Sequence, residues 1–508
     1  MTHLERAVHF FQFGHGLGIA LALLSAAFVT QGPASAGQVA PTPAEQFVLQ
    51  HLKTRGEADF NESDLKERTI SHEFLEGLIT GPATISAISA YGINLSNANI
   101  QGELNITNMS IPFPLRFAKC KFDGGIDLSY DTFAHDLTIT ESEVGHSTKG
   151  RSEPGTNALF IGTKVDGTLN LDGTYFYSAV NLTYAEIGSE FLSDDVHYES
   201  AEGADFDSLK TNAPLFFRKS HFAGRLNLTD AELFSLEIED ALPAPSSSSD
   251  PMGTMSLEIN QAHIKHGFEM KNVSLALFQA GFMDVEGPTD FDNVVPLGRV
   301  DLNHSHFQNL TISGFDQWLK RGVAAREFRL DGLSFDGIEI PNAPVDPSAM
   351  RMLTLIDSCA YSPQPYLELE RFLRTHGSPD KADETYIDMR RRERERLSFW
   401  KKPFDWMLDV LVGYGRRPWR SGFFALFLVC VGAVIFRKSR MEHDDEKCTD
   451  GWYNPFWFSL DLLSPIDLGV SKRWRAKSSL LRNYAQIHRV AGWVLIPLIA
   501  AAITGIIK

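Results

Sequence analysis

Apolar residues return every eleven positions from about residue 91 onward, and this step limits what the chain can become more than any other feature. Leu104, Leu115, Ile126 and Leu137 mark it; Ile106, Phe117, Leu128 and Ile139 run two residues behind, and Ile111, Phe122, Phe133 and Val144 five further on. The same unit returns at Leu169, Leu171 and Phe176, at Leu215, Phe217 and Phe222, and for the last time at Phe328, Leu330 and Phe335. Short apolar alternations broken by Gly, Asn, Asp and Ser are strands and corners, not an amphipathic helix. A unit this small cannot bury its own apolar face, so units must stack, and two per turn give coils of about 22 residues. The prediction is a mainly β chain with a β-helix over residues 91–340, interrupted by loops near 146–163, 190–212, 240–254 and 281–298.

Residues 37–90 read as a short helical cap. Thr42 and Glu45 have capping-box spacing with Pro43 at the first helical position, and Ser71 and Gly81 bracket a second helix. After the Pro-rich "PNAPVDPSAM", residues 341–418 read as a linker and a helical hairpin divided at Gly377. Its charged "RRRERER" is read as a solvated helix with internal ion pairs, with contact to anionic headgroups as the alternative.

The charge is unevenly distributed. Residues 37–360 carry 46 Asp and Glu against 22 Lys and Arg, whereas residues 361–508 carry 17 against 24. The acidic body would repel a phosphate backbone, which excludes nucleic acid as a partner, and the basic apolar tail predicts a lipid bilayer as one. Residues 1–36, with Arg6, the apolar "GLGIALALLSAAF" and "ASAG" at Ala34–Gly37, read as a signal peptide, with an uncleaved anchor as the alternative.

Two uncharged runs, "SGFFALFLVCVGAVIF" and "VAGWVLIPLIAAAITGII", predict transmembrane helices at 419–437 and 488–508. Trp419, Arg420, Arg437, Trp457, Arg489 and Trp493 are the expected membrane-interface residues. The loop 438–487 then holds an interfacial or re-entrant segment at 453–469, "YNPFWFSLDLLSPIDLG". Ser459, Asp461 and Asp467 are its candidate ion-pathway residues, against the plainer reading of an amphipathic helix and a capped turn. Export would put the β-helix on the periplasmic or extracellular side of a multi-pass protein of the bacterial inner membrane. "VGYGRRPWR" mimics a potassium filter, but it precedes the first apolar run and reads as a turn.

The stretch "INLSNANIQGEL" repeats Leu95 and Ile100, Asn94 and Asn99, at five-residue spacing and resembles the pentapeptide-repeat proteins, which implies a right-handed β-helix of quadrilateral coils. "YLELERFLRTHG", "GYGRRPWR", "PFWFSLDLLSPIDLG" and "GWVLIPLIAAAITGII" together resemble an uncharacterised bacterial family of membrane-anchored proteins with such repeats, some labelled membrane-associated oxidoreductase. That resemblance implies an exported β-helix body followed by a two-span C-terminus. No strand-linked GxGxxG, CxxC or haem motif accompanies the redox label, so no cofactor is expected.

An enzyme reading rests only on the acidic solenoid, and no catalytic constellation is visible. His263 with His266, and His304 with His306, are pairs lacking a third ligand. The expected function is a binding or structural module at the cell envelope with a protein or glycan partner; the alternative is a pore-forming homo-oligomer.

Overall fold

The computed structural model describes residues 40–62, 67–81, 91–145, 157–243, 255–319, 327–339, 345–443, 452–464, 466 and 468–504. The signal-peptide reading over 1–36 and the candidate Asp467 lie outside them.

Each coil is built from four short parallel-paired strands. Leu104, Ile126, Ala158, Val180, Ala204, Leu226 and Leu257 stack in register on the first side. Ile111, Phe133, Val165 and Ile187 stack on the second. Ile93, Leu115, Leu137, Leu169, Phe191 and Leu215 make the third, and Ile100, Phe122, Val144, Phe176, Tyr198 and Phe222 the fourth. Every one of these side chains is buried. Leu115 and Leu137 are one coil apart, 22 residues, so alternate eleven-residue units fall on different sides of the coil. From Glu232 onward the second and third sides merge into long strands such as His263–Lys271 and Asp284–Asp292, which pass through a register shift where the corner had been.

Two corners of each coil pass through a left-handed residue. Asn97, Lys119, Glu141, Asp195 and Lys219 occupy one and Asn108, Tyr130, Tyr184, Ser208 and Asp230 the other, all with φ between 47° and 62°. An L-residue there costs about 1–2 kcal/mol. The corner N–H groups offset this by donating to the next coil, as Lys119 does to Thr140 O at 2.9 Å and Tyr130 to Ile161 O at 2.7 Å.

Open strand edges at the two ends are covered. At the start, Ala58–Asp59, following helix α1 (Pro43–Arg55), pairs with Leu95–Ser96, and Thr69–Ser71, leading into α2 (His72–Thr80), pairs with Asn99–Gln101. After α3 (Val345–Ser358), α4 (Gln364–Thr375) closes the other end. Gln364 and Glu368 accept the backbone N–H groups of Gly332 and Phe335 at 2.9 and 3.3 Å, and Arg371 donates to Phe335 O at 3.0 Å. These contacts satisfy an edge that would otherwise pair with another chain.

The remaining α-helices among the described residues are α5 (Pro379–Glu395), α6 (Lys402–Val412), α7 (Trp419–Ile435), α8 (Pro455–Leu463) and α9 (Ser479–Ile503). They overturn the expectation of two transmembrane helices at 419–437 and 488–508: no described helix is long and apolar enough to cross a membrane. The 17 residues of α7 rise about 25 Å against a hydrocarbon core of about 30 Å. Helix α9 is longer, but it begins at Ser479 and carries Arg482, His488 and Arg489 in its first half, leaving a short apolar remainder. The multi-pass inner-membrane placement, and the membrane and transmembrane-helix character on which it rested, fall with those spans.

Candidate ligand-binding groove

Helix α5 aims its arginines at α6. Arg391 donates to Asp409 through Nε and Nη2 at 2.9 and 3.1 Å, and Arg394 donates to the same carboxylate at 3.1 Å. Burial alone would raise the Asp409 carboxyl, but the two guanidiniums outweigh it and hold the group below its ordinary range. Arg392 turns the other way, donating to Ile356 O, Cys359 O and the Tyr366 hydroxyl. The "RRRERER" arginines therefore tie helices together.

Gly413, at φ 54°, ends α6 in the left-handed region, and Tyr414 donates its backbone N–H to Leu408 O and its hydroxyl to Asp405 at 2.6 Å. The filter-like "GYG" is thus a helix C-cap anchored by a buried carboxylate. It reverses the chain so that the start of α7 lies beside α6 and the end of α5.

Between these three helices runs a groove of about 690 Å³ lined by Arg391, Arg394, Trp406, Asp409, Val410, Trp419, Arg420, Phe423 and Phe424. Trp406 and Trp419 are each 60% exposed and Phe423 is 64% exposed, with Trp419 and Phe423 edge to face at 5.6 Å. Asp409 is the groove's one carboxylate and is already engaged twice. Arg420 has no carboxylate partner among the described residues; burial and the neighbouring Arg417 lower its pKa, while a guanidinium keeps its charge at neutral pH. The Phe399 and Trp406 side chains extend the aromatic wall over an adjoining hollow of about 370 Å³ that also meets Arg394, Glu395, Lys402 and Pro403. Exposed aromatic rings beside guanidinium groups make an arrangement suited to holding a ligand.

Of the described residues that sequence singled out, Trp419 and Arg420 line the groove, and the others lie elsewhere. Trp457 and Trp493 are exposed on α8 and α9, while Arg437 and Arg489 face outward from α7's end and from α9. Ser459 is buried against His488, its Oγ 3.0 Å from Nε2. Asp461 is 4% exposed, and its carboxylate accepts the backbone N–H groups of Leu468 at 2.6 Å and Ser471 at 2.5 Å. That carboxylate fastens the turn after α8. Close packing makes this possible: a Cβ on Gly492 would lie 1.8 Å from Leu463 O, and one on Gly432 2.1 Å from Ser459 Oγ.

Sequence reasoning passed over Trp406 and His488, and it read Arg391 and Arg394 only as part of the charged "RRRERER". The available signal was two matched spacings: Arg391 and Arg394 three apart on one helix, Asp405 and Asp409 four apart on the next, which put each pair on one face. No family model, curated protein or solved structure matches the chain.

Proposed function

We propose that this chain is a binding module: a solenoid body joined to a helical unit whose groove holds an anionic amphiphile, a phosphate or carboxylate head on an acyl chain. The observation that carries this reading is Arg420, without a carboxylate partner among the described residues, in the lining of a groove walled by Trp406, Trp419, Phe423 and Phe424. Exposed aromatic rings in one contiguous patch mark an interaction surface. A nearby guanidinium without a carboxylate selects the sign of what lands there. Each methylene laid against the rings contributes up to about 0.8 kcal/mol, and a charge-assisted bond from Arg420 to the head about 1.5–3 kcal/mol.

Calorimetric titration tests it with dodecyl phosphate kept below micelle formation, inorganic phosphate and dodecyltrimethylammonium. Saturable binding of dodecyl phosphate alone, weakened roughly tenfold or more in Arg420→Ala, is the expected result. Vesicles of phosphatidylglycerol separate a lipid-surface source from a free amphiphile. Equal binding of the cationic detergent would show a general apolar surface and refute the reading.

A further inference from the structure

The strands His263–Lys271 and Asp284–Asp292 pair in parallel with His263 opposite Asp284, and Glu286 follows Asp284 by two residues, on the same outward side. One imidazole and two carboxylates from two successive coils therefore converge. His263 Nδ1 lies 3.3 Å from Asp284 Oδ2, its Nε2 lies 3.4 Å from Glu286 Oε1, and one donor atom from each residue can be chosen so that all fall within 4.8 Å of one another. His266, its partner in the sequence pair, is not part of the cluster; the other two donors arrive 21 and 23 residues on, from the neighbouring coil.

We propose that His263, Asp284 and Glu286 form a binding site for a divalent transition metal of zinc's class. Bonds of about 2.0–2.2 Å to a tetrahedral ion set neighbouring donor atoms about 3.4 Å apart, a spacing that His263 Nδ1 and Asp284 Oδ2 already have at 3.3 Å. Neutral imidazole with two carboxylates suits a borderline cation better than calcium or magnesium, which favour all-oxygen sites. One ring nitrogen serves as ligand, and the exposed Glu286 side chain swings to join Asp284 at it. The flanking groups are otherwise engaged: Glu232, in register one coil earlier, is held by Lys210 at 2.9 Å, and His306, one coil later, lies 3.0 Å from Ser334 Oγ. Three protein ligands leave a fourth position for water, and the ion would pin two coils together.

A second cluster, Asp195, His197 and His221, is less apt. Its two imidazoles stack at 4.2 Å and 6°, so their lone pairs run parallel instead of converging.

The test is titration of the full, tag-free chain with Zn2+ by calorimetry and with Co2+ by visible absorption. One saturable site with Co2+ ligand-field bands is expected, with affinity falling about 10-fold or more in His263→Gln and in Asp284→Asn, each shown to be folded by circular dichroism. Both substitutions are at solvent-reachable positions outside the core. Retention of the site in the His263→Gln/Asp284→Asn double variant would overturn the assignment. So would absence of saturable binding in the wild type.

Discussion

Replacing Asp131 with asparagine is expected to stabilise the solenoid, and to do so more strongly as pH rises. Asp131 is fully buried just after a left-handed corner, at the level where neighbouring coils place Met109, Thr163 and Ala185. Its Oδ1 accepts the Met109 N–H at 2.8 Å, and its Oδ2 is buried without a hydrogen-bond partner among the described residues. Burial raises the carboxyl from 3.8 to about 7. The folded state therefore binds the proton more tightly than the unfolded state, and stability is lost as pH rises from the unfolded toward the folded value. At about 1.36 kcal/mol per unit, the burden reaches roughly 4 kcal/mol at pH 8 but only about 1.5–2 kcal/mol at pH 5. Asparagine keeps the acceptor for Met109 and removes the charge. Urea unfolding of both proteins at pH 5 and pH 8 should show the variant's advantage growing by about 2–3 kcal/mol between them. An advantage that is flat with pH, or larger at pH 5, would refute the reasoning.

His488 is buried, and burial lowers its pKa, so the unfolded state takes up a proton that the folded state resists. Wild-type stability should accordingly fall as pH drops below about 6.5, and His488→Gln should flatten that limb of a melting-temperature profile. Gly492→Ala places a methyl group against Leu463 O and should cost about 2–3 kcal/mol or more, read as faster proteolysis at α8. Gly422→Ala, on α7 with open space around it, should instead be neutral or stabilising by up to about 1 kcal/mol in thermal unfolding.

The solenoid column was legible because every coil repeats one physical demand. Ile93, Leu115 and Leu137 occupy the same inward position, and the register of 22 follows from their spacing. Asp131 was not legible, since a buried carboxylate looks like any other aspartate until the coil closes around it. The C-terminus misled for a different reason. The uncharged run from Ser421 to Phe436 is helical almost to its end, but α7 as a whole has only 17 residues and packs on α8 and α9 through Gly432, Ser459 and His488. Asp461 likewise resembled an ion ligand only until its two backbone donors, seven and ten residues on, came into view. The groove joins three helices, and only the fold brings Arg391, Trp406 and Arg420 to one place.

The most direct test of the groove is a crystal structure of the chain with an alkyl phosphate brominated on its tail. The account predicts anomalous bromine signal between Trp406 and Phe423, with the phosphate within hydrogen-bonding distance of the Arg420 guanidinium. Bromine found along the exposed faces of α8 and α9 with an empty groove, or no ordered bromine at saturating ligand, would contradict it.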